Sequence, residues 1–78
     1  MDTEQIKTLL LEALELDEVT VKSDGSHYQV TAVGQVFESL SRVKQQQYVY
    51  KPLSSHIADG TMHAVSIKTY TPAAWEKD

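Results

Sequence analysis

The three histidines of this 78-residue chain, His27, His56 and His63, are its best candidates for chemistry, because the sequence contains no cysteine. A neutral imidazole is a good ligand for iron, zinc or copper. His27 and His63 are each predicted at the beginning of a β-strand, so adjacent strand ends would bring two rings together. Two imidazoles do not complete a metal site, so a tightly held metal or cluster would need further ligands from a partner. The alternative is that all three are structural or surface groups, and a surface position is the favoured interpretation of His56.

A basic segment in the middle of the chain is the second candidate. Its three bases are Arg42, Lys44 and Lys51, and no acid lies between Ser39 and Ala58. Such a segment is either a solvated helix face or a docking face for an acidic partner or for phosphate. Three charges are a weak indication of nucleic-acid binding, and the net charge of −4 argues against a general affinity for phosphate.

Sequence signatures of catalysis are missing. The chain has no glycine-rich phosphate loop, no zinc-protease helix motif and no serine-hydrolase motif. Its acids are concentrated in residues 1–18, which hold six acids and one base, as on a solvated helix face. With 78 residues, of which 41% are apolar, the chain is expected to form one domain, residues 1–78, with a thin core. We therefore expect a binding protein and not an enzyme.

The cellular location is predicted from the same composition. No apolar run approaches the length of a membrane span, and the acidic N-terminus differs from the basic start of a secretory signal. The lack of cysteine agrees with a reducing compartment. We therefore expect a cytoplasmic protein with no membrane partner.

A helix and a β-hairpin are predicted to position His27. Apolar residues at helical spacing predict a first helix that ends near Leu16 and begins with a capping box at Asp2. Two β-rich segments, Val19–Lys22 and His27–Val33, flank a turn over residues 23–26 that has Asp-Gly at its centre. They predict two antiparallel strands.

A long helical region and a third strand are predicted to position the basic segment and His63. The helical period begins near Leu40 and is interrupted by Pro52, which predicts a kink or a restart. The predicted apolar stripe of this region consists of Val43, Gln47, Tyr50, Leu53 and Ile57. A third strand is expected over Met62–Thr69, followed by a short final helix with Pro72 at its first position.

The predicted order of elements is helix, strand, strand, helix, strand, helix. The hairpin makes the first two strands antiparallel, and a right-handed helical crossover returns the third strand parallel to the second. The predicted fold is therefore α+β, with a three-stranded mixed sheet and helices packed on one face.

Four segments of the sequence match a known family in one register. They are Asp24–Val30, Ala32–Gly34 with Phe37, Ser41–Lys44 with Val49–Tyr50 and Pro52–Leu53, and Met62–Lys68 running into Tyr70–Trp75. On these segments, which span nearly the whole chain, the protein resembles the BolA-like family and most closely its acid-stress branch. The resemblance implies a fold like that of a type II KH domain, in agreement with the predicted order of elements.

The resemblance also implies a function. BolA-like proteins pair with monothiol glutaredoxins and share a glutathione-ligated [2Fe-2S] cluster with them. The invariant histidine that the BolA-like partner contributes matches His63. A second ligand in many members comes from the loop between the first two strands, and His27 is the only imidazole near that loop here. By this interpretation the isolated chain holds no cofactor and is a monomer or a weak homodimer.

Two alternatives to this function remain open. Some BolA-like proteins are described as DNA-binding regulators, which a KH-like fold makes reasonable. This sequence, however, has no G-x-x-G loop of the kind that RNA-binding KH domains use. The third interpretation is a purely structural interaction domain.

Overall fold

In the computed structural model of the chain, which describes residues 2–25 and 27–76, helices cover one face of a three-stranded sheet. The elements are α1 (Thr3–Ala13), β1 (Glu18–Asp24), β2 (His27–Val33), α2 (Arg42–Tyr50), α3 (Ser54–Ala58), β3 (Ala64–Tyr70) and α4 (Pro72–Glu76). Two short 3₁₀ turns, Gln35–Ser39 and Lys51–Leu53, precede α2 and α3. This order confirms the predicted α+β fold.

The sheet has the predicted mixed topology, with the strand order β1-β2-β3. β1 and β2 are antiparallel, and β2 and β3 are parallel. The hairpin turn is tighter than predicted, because Asp24 pairs directly with His27 and belongs to β1. Gly25 has a φ of 67° in this turn, a conformation that favours glycine. Ser26, the last residue of the predicted turn, lies outside the described residues.

The core lies between the sheet and the helices. Alternation along the strands turns one set of side chains toward α1 and toward the segment from α2 to α3. The fully buried members of this core are Ile6, Leu10, Val19, Val30, Ala32, Phe37, Val49, Leu53 and Met62. The opposite face of the sheet is lined by polar residues, among them Gln29, Thr31 and Ser66.

Two predicted helix starts are confirmed. The side chain of Asp2 accepts a hydrogen bond from the backbone N–H of Gln5 at 2.8 Å, and the Gln5 side chain accepts from Asp2 at 3.0 Å. At α4, the Thr71 hydroxyl oxygen accepts from the N–H of Ala74 at 3.2 Å, and Pro72 is the first helical residue. Local capping chemistry therefore determines where these helices begin.

The end of α1 differs from the prediction. The helix ends at Ala13, and Leu14 already has an extended conformation, so the chain does not remain helical to Leu16. The N–H of Asp17 then donates to the carbonyl of Val33 at 2.8 Å, which brings this segment to the sheet. The leucines after the helix stay half-buried against the core. The spacing of these leucines is the same as in a further helical turn, and for this reason the predicted helix was too long.

The predicted interruption at Pro52 is confirmed. α2 ends at Tyr50, a 3₁₀ turn follows, and α3 restarts at Ser54. A 3₁₀ turn has 3.0 residues per turn instead of 3.6, so the two helices do not continue one apolar stripe.

No helix in the described part of the chain is long and apolar enough to cross a membrane.

The predicted apolar stripe of α2 is wrong in its first half. Val43 is 65% exposed and Tyr50 is 42% exposed, whereas Val49 is fully buried. Half-buried Gln45 and Tyr48 share the inner side of the helix with Val49. α2 therefore leaves two large apolar side chains, Val43 and Tyr50, exposed.

Candidate functional site

His63 lies immediately before β3. The strand begins at Ala64, so the prediction that His63 opens it is wrong by one residue. Met62, predicted to start the strand, is instead 1% exposed in the core, and its N–H donates to the carbonyl of His56 at 3.1 Å. His63 itself is exposed. An anchored residue on one side and a strand on the other therefore hold its backbone while its side chain faces outward.

His27 lies beside this position. It is the first residue of β2 and pairs in register with Ala64, the residue that follows His63. The two backbones are therefore neighbours at one end of the sheet, as the prediction of adjacent strand ends required. The Nε2 of His27 lies 2.8 Å from the Oγ of Ser66. The imidazole of His63, by contrast, makes no hydrogen bond to any residue in the described ranges.

The loop that leads to His63 is held by several local interactions. Hydrogen bonds from the side chain and the backbone of Thr61 lower the pKa of the Asp59 carboxyl, and the charge of His56 acts in the same direction. The backbone bond measures 2.9 Å. Gly60 has a φ of 85°, as expected of a left-handed helix cap. His56 thus positions its neighbours through its carbonyl, and its half-buried ring lies on α3.

The donor atoms at this end of the sheet fit a shared metal centre better than one held by this chain alone. Among the described residues, no group of three or more His, Cys, Asp or Glu side chains could hold a metal ion. A [2Fe-2S] cluster takes four ligands, and most of them are thiolates in proteins. His63 and His27 supply at most two imidazoles, and the chain has no cysteine. The residues present could therefore supply at most two of the four ligands of such a cluster, and the others would have to come from a partner.

The three bases of the predicted docking face do not lie together. Arg42 and Lys44 are two positions apart on α2, which separates them by about 200° around the helix. Lys51 is seven positions after Lys44 and so lies on the same side of the segment as Lys44. Arg42 instead lines a groove beside β3, together with Lys68. The predicted single basic face is therefore two separate surfaces.

Lys68 was missed as a candidate because it lies in a strand far along the sequence from the basic segment. Strand alternation places Lys68 with Ser66 on the polar face of the sheet, away from the helices, so no local pattern indicates that it approaches α2. Lys68 lines the groove because β3 is the edge strand beside α2. The structure thus adds a cation that the local charge count left out.

Comparison with known proteins agrees with this architecture. Residues 7–74 match the family described as BolA-like protein. The chain is 56% identical to the acid stress protein IbaG of Escherichia coli (strain K12) over 78 residues, which cover 100% of this chain and 93% of the relative.

Solved structures give the same result. A BolA protein homologue from Coxiella burnetii has a TM-score of 0.83 and 31% identity, covering 97% of both chains. The BolA domain of SufE1 from Arabidopsis thaliana has a TM-score of 0.77 and 29% identity, covering 91% of this chain and 92% of that one. Fold, sequence and the match to the acid stress protein together establish that this chain belongs to the BolA-like family, within its acid-stress branch.

Proposed function

We propose that this protein is a non-enzymatic adaptor that pairs with a monothiol glutaredoxin and contributes His63 as a ligand to a shared, glutathione-ligated [2Fe-2S] cluster. One observation carries the proposal. The ring of His63 is exposed and makes no hydrogen bond to a described residue, while the residues on either side of it are fixed. Such a group is accessible to a second protein and is already held in position for it.

The fixed backbone around His63 favours ligation. Met62 is buried and hydrogen-bonded, and Ala64 begins a strand that pairs with β2. Only the χ angles of the histidine then remain to be ordered when a partner binds. Because ordering a side chain costs less than ordering a loop, this arrangement lowers the cost of forming a mixed site.

His27 is the candidate for a second contribution. Its backbone adjoins that of Ala64, next to His63, but its Nε2 already contacts the Ser66 hydroxyl. Moving the ring away from Ser66 would break that contact, whereas ligation by His63 breaks no hydrogen bond to a described residue. We therefore assign the main part of the ligation to His63 and a smaller part to His27.

The remaining ligands must be thiolates from the glutaredoxin and from glutathione, because this chain contains none. Replacing a thiolate by an imidazole on one iron raises the reduction potential of a [2Fe-2S] centre. The contribution of this chain is thus an imidazole that changes the electronic character of a cluster whose other ligands come from its partner.

The test is reconstitution of the cluster with this protein, a monothiol glutaredoxin, glutathione, iron and sulfide. The mixed complex is expected to have a visible absorption and circular dichroism spectrum distinct from that of the glutaredoxin homodimer. His63→Ala should remove the difference, and His63→Cys should shift the spectrum toward that of an all-thiolate site. His56→Ala is the matched control and should change little. A spectrum that survives His63→Ala but is lost in His56→Ala would refute the assignment.

Association without a cluster separates docking from ligation. His63→Ala should retain most of the affinity for the apo glutaredoxin, because docking draws on a wider surface than one side chain. The measurement is isothermal titration in the absence of iron. Equal loss of apo affinity and of cluster formation would mean that His63 acts as a docking residue and not as a ligand.

A further inference from the structure

A groove runs along the free edge of β3. Its larger part has a volume of about 720 Å³ and lies between α2, the second half of β3 and the start of α4. A smaller hollow of about 220 Å³ continues it and shares Gln46 and Ile67 with the larger part. From Val65 to Thr71 the groove follows the strand for about 20 Å, at roughly 3.3 Å per residue. That is the length of a short extended peptide.

The backbone of β3 has hydrogen-bonding groups that point into this groove. Tyr70 directs its carbonyl toward β2, where it accepts from the N–H of Gly34 at 3.0 Å. Because backbone groups alternate along a strand, Val65, Ile67 and Thr69 direct theirs to the opposite side, which is the free edge. These are the groups that an added strand would use.

One side chain already makes the contact expected of an added strand. The Nε2 of Gln46 donates to the carbonyl of Ile67 at 2.8 Å across the groove. An amide N–H from a peptide at the same place would make an equivalent bond. Gln46 is exposed, so its side chain is free to turn away when the edge is occupied.

The charge of the groove selects an anionic occupant. Arg42 and Lys68 line its larger part, and among the described residues no acid lines either part. This is a local departure from the composition of the chain, which has 11 acids and 7 bases. At the other end, half-buried Val65 and exposed Tyr50 provide apolar contact. A partner with carboxylates at one end and apolar side chains at the other would complement both parts.

We propose that this groove binds an extended acidic segment of a partner protein, which adds to the free edge of β3 as a fourth strand. Its carboxylates pair with Arg42 and Lys68, and its backbone pairs with Val65, Ile67 and Thr69. This surface is separate from the proposed ligation, because neither His63 nor His27 lines the groove. Failure of one proposal therefore leaves the other standing.

The probe is a synthetic eight-residue peptide with four Glu residues at one end and four Val residues at the other, and a peptide of four Lys and four Val in the same arrangement is its charge control. Backbone amide shifts in a ¹H–¹⁵N titration are expected along β3 and α2 with the acidic peptide and not with the basic one. Arg42→Glu and Lys68→Glu should each weaken binding roughly five-fold at low salt, and less at high salt. Lys44→Glu, on the other side of α2, is the matched control and should have little effect. Shifts confined to other surfaces, or equal loss in Lys44→Glu, would overturn the proposal.

Two further variants test the strand pairing itself. Gln46→Ala uncovers the carbonyl of Ile67 and should leave peptide binding equal or tighter. A peptide N-methylated at the alternate residues whose N–H groups would face β3 should lose most of its affinity, because those residues then have no donor for the edge. Unchanged affinity of the methylated peptide would overturn strand addition. If a single-stranded oligonucleotide bound through Arg42 and Lys68 more tightly than the acidic peptide does, the assignment of a protein segment as the occupant would be overturned.

Discussion

Substitution of Met62 tests whether burial next to His63 holds the candidate ligand in place. Met62 is 1% exposed and belongs to the core, although it lies in the loop before β3. Met62→Ala removes its thioether side chain beyond Cβ and leaves a cavity, which costs about 2–5 kcal/mol when the site relaxes only partly. A domain of 78 residues is stable by about 4–12 kcal/mol in total. The variant should therefore lose at least about a sixth of its free energy of unfolding, and about 40% at the middle of both ranges.

The assay is urea unfolding followed by circular dichroism, with the midpoint and the slope fitted separately. Met62→Leu keeps the volume and should cost less than about 1.5 kcal/mol. Val43→Ala is a matched truncation at a side chain that is 65% exposed, and it should change stability by less than about 0.5 kcal/mol. A cost below about 1 kcal/mol for Met62→Ala, at an unchanged slope, would refute the reasoning that this residue anchors the loop.

The variants Met62→Ala and Met62→Leu also test whether the burial of Met62 affects cluster formation. At a temperature where Met62→Ala is still folded, its mixed complex with glutaredoxin should form less cluster than Met62→Leu, because the backbone of His63 is no longer fixed. Apo association should change less. Equal cluster yields from the two variants would mean that the anchor stabilises the domain without positioning the ligand.

Three further predictions concern the same end of the sheet. Gly60→Ala should cost about 1–2 kcal/mol in urea unfolding, because its φ of 85° strains a residue with a Cβ although no atom lies within 4 Å, and Gly60→Asn should cost less. The lowered pKa of Asp59 should give a stability contribution that is present above pH 3.8 and is lost as the pH falls through the folded-state pKa. Urea unfolding of Asp59→Asn against the parent should therefore show a difference that disappears in acid, and a constant difference would contradict the shift. His27→Ala should reduce the visible absorption of the mixed cluster less than His63→Ala does, and a larger effect would reverse the assigned roles.

The parts of the fold that were predicted correctly are those determined by local chemistry. The capping box at Asp2, the hairpin, the break at Pro52 and the start of α4 at Pro72 each depend on a few adjacent residues. The mixed sheet followed from the order of elements and the handedness of crossovers. These features required no knowledge of the tertiary packing.

The errors arose where tertiary packing decides between equivalent patterns. The apolar spacing of α2 favoured Val43 and Tyr50, but the inner side is occupied by Val49 with Gln45 beside it. Gln45 lies inward because its amide donates to two carbonyls, at 2.9 and 3.0 Å, and its side-chain oxygen accepts from Thr69 at 2.6 Å. A hydropathy pattern does not contain that network.

The candidate site was predicted in part for a similar reason. Adjacent strand ends placed His27 and His63 at one end of the sheet, and the observed register agrees. The start of β3 lies two residues later than predicted, at Ala64 instead of Met62, because the Met62 side chain packs into the core before the strand begins. The grouping of Arg42 with Lys68 depends on the position of β3 beside α2, which no local charge count contains.

The most direct test of the central claim is pulsed electron paramagnetic resonance of the reduced mixed cluster formed with a monothiol glutaredoxin and glutathione. Selective ¹⁵N labelling of the histidines in this protein should give the nitrogen coupling of a histidine bound directly to iron, which His63→Ala reduces to at most the smaller contribution of His27 and His56→Ala preserves. We predict that the main part of this coupling comes from His63. A reduced cluster with no histidine nitrogen coupling from this chain, in a complex that still contains both proteins, would contradict it.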